Sequence, residues 1–85
     1  MKTFLAKISV RLKLNVKDIS GQNLKRAIES FVEIKNLSCN VGTLYYLKFD
    51  AQNQVEALHL VEKIAEGLLT NETIEEYKIK SLEEL

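Results

Sequence analysis

The sequence predicts an α+β two-layer sandwich of order β-α-β-α-β, with two helices on one face of long antiparallel-type strands. Three observations predict it. From Phe4 to Val16 every even-numbered residue is apolar, while the odd ones are mostly Lys, Ser, Arg and Asn. From Leu37 to Phe49 a second alternation puts the odd-numbered residues inward. Between and after these runs apolar residues recur at helical spacing, and helices that alternate with strands pack on a sheet.

The first alternation is Phe4, Ala6, Ile8, Val10, Leu12, Leu14 and Val16, a strand with one dry face and one wet one. At ~3.3 Å per residue it would run ~43 Å, whereas a globule of 85 residues has a diameter of roughly 30 Å. The strand must bend, or another chain must cover its far end.

Asp18, Ile19, Ser20 and Gly21 form a turn-like step. Leu24, Ala27, Ile28 and Phe31 then recur at i, i+3, i+4 and i+7, predicting an amphipathic helix over roughly residues 21–35. Asn36 tolerates the left-handed backbone at which a helix stops.

The second alternation is Leu37, Cys39, Val41, Thr43, Tyr45, Leu47 and Phe49. Its phase survives passage through Gly42, which favours one long strand kinked or bulged there; a hairpin around residues 40–43 is the alternative. Tyr45 then faces the core, Tyr46 the surface or an interface, and Cys39 behaves as a small hydrophobe.

Asp50 is a candidate N-cap for a second helix. Val55, Leu58, Val61, Ile64, Ala65 and Leu68 give it one apolar face, ending near Thr70 or Asn71. Thr73, Tyr77 and Ile79 mark a last, shorter strand, with Glu76, Lys78 and Lys80 outward and Glu75 inward near the sheet end. No proline, linker or low-complexity segment divides the chain, so residues 1–85 are expected to form a single domain.

Twelve Lys plus Arg balance twelve Asp plus Glu, which leaves no electrostatic footprint for nucleic acid or an anionic membrane. The single Cys39 rules out an internal disulfide, and the first apolar run stops at Lys7, too short for a signal-peptide core or a membrane span. A cytoplasmic protein is expected. His59, the only imidazole, has no triad neighbours at helical spacing, and Gly21, Gly42 and Gly67 are isolated rather than arranged to cradle phosphate. Catalytic, cofactor and metal residues are therefore expected to be none. Glu72, Glu75, Glu76, Glu83 and Glu84 read as a solvated edge and tail.

With these residues laid out, the chain resembles the PurS family, the small subunits of three-component formylglycinamidine ribonucleotide synthase. The likeness spans essentially the whole length. It rests on Leu12, Lys13, Val16, Asp18 and Gly21 at the strand-to-helix step, Ala27 and Ser30, and Val41 with Gly42; its most specific stretch runs Leu68, Leu69, Thr70, Asn71, Glu72, Thr73, Ile74, Glu75, Glu76, Tyr77. The sequence departs at Ile19, where the family often has proline, and at Asn40 and Thr43, where it often has basic residues.

The resemblance implies a ferredoxin-like variant of the sandwich and a subunit that performs no chemistry itself. It implies a homodimer or tetramer that joins an ATP-dependent synthetase subunit to a glutaminase subunit and assists ammonia transfer, with ATP and Mg on the large partner. Interface or structural roles are then expected for Asp18, Gly21, Gly42, Tyr46, Asn71 and Glu75. One alternative is a ferredoxin-like regulatory module that binds an amino acid or nucleotide between subunits, at the loops around residues 18–21 and 40–43. Another is a small acylphosphatase-like hydrolase, which would need a phosphate-cradling loop.

Overall fold

The computed structural model describes residues 1–85. In chain order it contains β1 (Lys2–Leu12), α1 (Ile19–Phe31), β2 (Gly42–Ala51), α2 (Gln54–Ile64), a π-helical turn (Ala65–Leu69) and β3 (Glu75–Glu84). The class and order are those the sequence predicts. The strands form one antiparallel sheet of order β2-β1-β3.

The even-numbered residues of β1 supply the core. Phe4 packs with Ala57, and Ala6 and Ile8 with Val61 and Ala65, beneath α2 and its continuation; Val10 is buried on the same face of β1. Register carries this face across the sheet. Phe49, Leu47 and Tyr45 of β2 lie opposite Phe4, Ala6 and Ile8, while Leu82, Ile79 and Tyr77 of β3 lie opposite Ala6, Ile8 and Val10. Each inward neighbour is half-buried, because α2 is narrower than the sheet it covers.

β1 stops at Leu12, short of the expected Val16. Its partners define that end: β2 begins at Gly42 opposite Arg11, and β3 begins at Glu75 opposite Leu12. Beyond, Lys13 donates one more hydrogen bond to the Ile74 carbonyl, a turn closes from Val16 N–H to the Lys13 carbonyl, and Leu14 is exposed.

The second alternation is neither one kinked strand nor a hairpin. Residues 37–41 lie outside the sheet, so Cys39 sits half-buried in a return segment rather than on a strand. α1 ends at Phe31 instead of near residue 35, and Asn36 takes the left-handed backbone (φ 57°) within the return segment. The cap of α2 is Asn53 rather than Asp50: the Asn53 side chain accepts from the Glu56 N–H at 2.9 Å. Asp50 instead accepts a hydrogen bond from the Thr3 hydroxyl across the strands. β3 is as long as β2, not shorter, and carries a bulge where Ile79 faces Ile8 and Ser81 faces Lys7.

The two helices cover the sheet unequally. α2 packs on β2 and β3, but α1 makes only marginal contact with any strand and buries Gly21 alone. Its expected apolar face is open, with Phe31 87% exposed and Leu24 46%. On α2 the buried stripe is Ala57, Val61 and Ala65, leaving Val55, Leu58 and Leu68 outside. The molecule is elongated, 51 × 28 × 15 Å, with a radius of gyration of 16.5 Å against ~12 Å for a compact chain of this length.

Candidate functional site

The base of α1 is where the chain spends its most specific hydrogen bonds. Asp18 is the N-cap: its Oδ1 accepts from the Gly21 N–H at 2.7 Å, satisfying an amide that the first helical turn leaves free. Its Oδ2 accepts from the Val41 N–H at 2.9 Å. One carboxylate thus ties the start of α1 to the end of the return segment, just before β2. These two backbone donors, Val41 foremost, hold the Asp18 carboxyl below its ordinary value of 3.8.

Gly21 is required by close approach. A Cβ there would collide with the Cys39 carbonyl oxygen and lie 2.7 Å from Asp18 Oδ2. Gly42 has the same reason to be glycine, since a Cβ would sit 2.8 Å from the Val10 carbonyl oxygen.

Asn71 and Glu75 build a second clasp. The Asn71 N–H donates to Glu75 Oε1 at 2.8 Å, the Glu75 N–H returns a bond to the Asn71 carbonyl at 2.7 Å, and the Thr73 N–H donates to Asn71 Oδ1 at 3.2 Å. This turn sets the start of β3. Because Glu75 lies opposite Leu12 and Gly42 opposite Arg11, both clasps sit at one end of the sheet. Five of the six residues singled out from sequence are brought to that end. Tyr46 is not among them: it lies on the open sheet face opposite Lys7, whose ammonium is 5.8 Å from its ring centroid.

Sequence reading missed Val41 as Asp18's partner, since a backbone donor has no signature in residue type. It also missed two ties that β3 makes. Arg11 Nε donates to Glu76 Oε1 at 3.1 Å across the open face. The Tyr77 hydroxyl donates to Glu66 Oε1 at 2.8 Å beside the π-helical turn, and that hydrogen bond, with desolvation and the nearby glutamates, pushes the Tyr77 pKa up to about 12. Opposite charges or a phenol and a carboxylate on neighbouring elements would have been the signal, but pairing them needs the register.

His59 stands on the exposed side of α2, and no three His, Cys, Asp or Glu side chains are grouped so that they could hold a metal ion. No helix is long and apolar enough to cross a membrane. The arrangement shapes a surface: a projecting amphipathic helix, clasped at its root, beside an open sheet face.

Residues 5–83 match the family described as PurS: Phosphoribosylformylglycinamidine (FGAM) synthase. The phosphoribosylformylglycinamidine synthase subunit PurS of Thermotoga maritima is 32% identical over 84 residues, covering 96% of this chain and 100% of the relative. Among solved structures, PurS of Thermus thermophilus superposes with a TM-score of 0.85 at 26% identity, over 98% of both chains. A chain in the structure of PurLQS from Thermotoga maritima gives 0.81 at 32% identity, over the whole of both chains.

Proposed function

The chain belongs to the PurS family of FGAM synthase, and from that membership we propose that it is the non-catalytic adaptor of a three-part synthase in purine biosynthesis. In this reading it joins a synthetase subunit, which holds ATP and Mg, to a glutaminase subunit, and helps ammonia released from glutamine reach the synthetase in the cytoplasm. The observation that carries it is α1. A helix whose apolar face is uncovered, on a chain far longer than a compact globule, suits a subunit completed by other chains. We assign the end of the sheet holding Asp18, Gly21, Gly42, Asn71 and Glu75 to the root of that assembly surface, with Tyr46 on the adjoining open face. A second copy of the chain is the first partner, as a dimer or tetramer.

Reconstitution tests the reading. Glutamine-dependent FGAM formation should require this chain together with both partner subunits, whereas ammonia-dependent formation by the synthetase should persist without it. Full glutamine-dependent turnover by the two partners alone would overturn it.

A further inference from the structure

The sheet has two faces, and only one carries α2. On the other, near the α1 end, lies a cleft of about 660 Å³ that crosses all three strands. Its shape follows from residue size. Ser9 on central β1 is short and flanked by Leu44 of β2 and Lys78 of β3, so the face is low there, and Gly42, with no side chain, leaves the β2 edge open opposite Arg11.

The lining is unequal in charge. Arg11 on β1 and Lys78 and Lys80 on the neighbouring β3 stand against the single carboxylate of Glu76. That carboxylate takes the Arg11 Nε, which orients the guanidinium and leaves its Nη groups without a protein acceptor. Lys78 and Lys80 have no ion pair, the only pairs being Lys2–Glu84 and Arg11–Glu76. The extra residue of the β3 bulge is Lys80 itself, between Ile79 and Ser81. In a chain of balanced charge this is a local excess of cations, and the exposed Val41 and Leu44 give it an apolar rim.

We propose that this cleft docks an acidic segment of a partner protein, with Arg11, Lys78 and Lys80 receiving its carboxylates and Val41 and Leu44 an apolar side chain beside them. No helix roofs the cleft, so a small anion would stay largely in water, whereas ligand pockets usually bury most of their guest. A protein segment brings its own cover. Arg11 in particular offers a planar, pre-oriented fork suited to a carboxylate. The proposal rests on the adaptor reading, because the segment is placed on the synthetase or glutaminase subunit.

The test measures binding of the purified chain to each of those two subunits across a salt series, for wild type, Lys78→Glu, Lys80→Glu and a control, Lys63→Glu on α2, which changes net charge equally. All three lysines are exposed, and equal melting temperatures would show that each variant folds. The Lys78 and Lys80 variants should bind one subunit about tenfold more weakly, mainly through slower association, with a flatter salt dependence; the control should match wild type. Affinities and salt slopes equal to the control would overturn the proposal. So would saturation of the cleft by inorganic phosphate, seen as shifts of the Ser9 and Lys78 amides, with subunit binding unchanged in the variants. Failure of the wild-type chain to bind either subunit would instead overturn the adaptor reading itself, and the docking with it.

Discussion

Asp18 and Val41, distant in sequence, share a hydrogen bond of 2.9 Å from the Val41 backbone to the Asp18 carboxylate. The same carboxylate caps α1 through Gly21. Both donors favour the ionised form, so the folded-state pKa lies below 3.8 and the sign of the pH dependence follows. The contribution is fully present above 3.8 and is lost as pH falls through the lower, folded value. Asp18→Asn keeps a carbonyl for Gly21 but turns an amide donor toward Val41, so it should melt below wild type at neutral pH. That difference should shrink in acid, as read by circular dichroism melts over a pH series. A gap that stays constant into acid would show that the charge of Asp18 is not what the clasp uses.

Gly21 and Gly67 make opposite predictions. At Gly21 an added Cβ meets backbone, the Cys39 carbonyl, which cannot move without shifting the return segment. Gly21→Ala should destabilise by about 1–3 kcal/mol, which in a domain of this size lowers the melting temperature by ~4–8 °C per kcal/mol. At Gly67, in the π-helical turn, a Cβ meets nothing within 4 Å. Gly67→Ala should therefore stabilise by roughly 0.5–1 kcal/mol, because glycine loses more backbone freedom on folding. Melting both variants side by side checks the pair, and equal effects would defeat the argument from close approach.

What the sequence could show depended on whether one element or several carried the signal. Parity alone placed Phe4, Ala6, Ile8 and Val10 inward, because a strand flanked on both sides has its face set by its own period. Leu14 continued that period and is exposed, since a strand ends where its neighbours do and the neighbours' ends are not written in its own residues. Asp50 and Asn53 are both good caps by type. Asp50 is held by Thr3 of the adjacent strand, and that contact exists only in the folded register. The special residues Asp18, Gly21, Gly42, Asn71 and Glu75 were legible as punctuation, but their meeting at one end of the sheet was not. The helical face of Leu24 and Phe31 was legible too; that its own sheet does not cover it was not.

Tyr77 supplies a spectroscopic prediction. Its hydroxyl donates to Glu66 Oε1, and a phenolate there would face that carboxylate, so the pKa rises from 10.0 to about 12. A pKa raised on folding stabilises the protein below 10.0, and that contribution is lost as pH climbs through the folded value near 12. Ultraviolet titration should show a tyrosine that ionises well above 10.0. Glu66→Gln removes the anion and should bring that late ionisation back toward 10.0. A late tyrosine that ignores this substitution would point to burial as the cause.

Phe31 separates folding from assembly. Its ring is 87% exposed at the last position of α1, so within the chain it contributes little to stability, and Phe31→Ser should leave the melting of the isolated subunit nearly unchanged at high dilution. In an assembly that covers α1, the same ring would leave water. Full burial of a phenylalanine side chain is worth ~1.5–3 kcal/mol, and each ~1.4 kcal/mol is a factor of ten in affinity. Phe31→Ser should therefore weaken association by roughly ten- to a hundredfold, visible in sedimentation as a shift of the dimer-to-monomer midpoint or as loss of co-migration with the partner subunits. Leu24→Ser, on the same face and already half covered, should do so less. Variants that assemble like wild type would mean that α1 projects into solvent in the complex as well, and the surface that joins the subunits would have to be sought on the sheet.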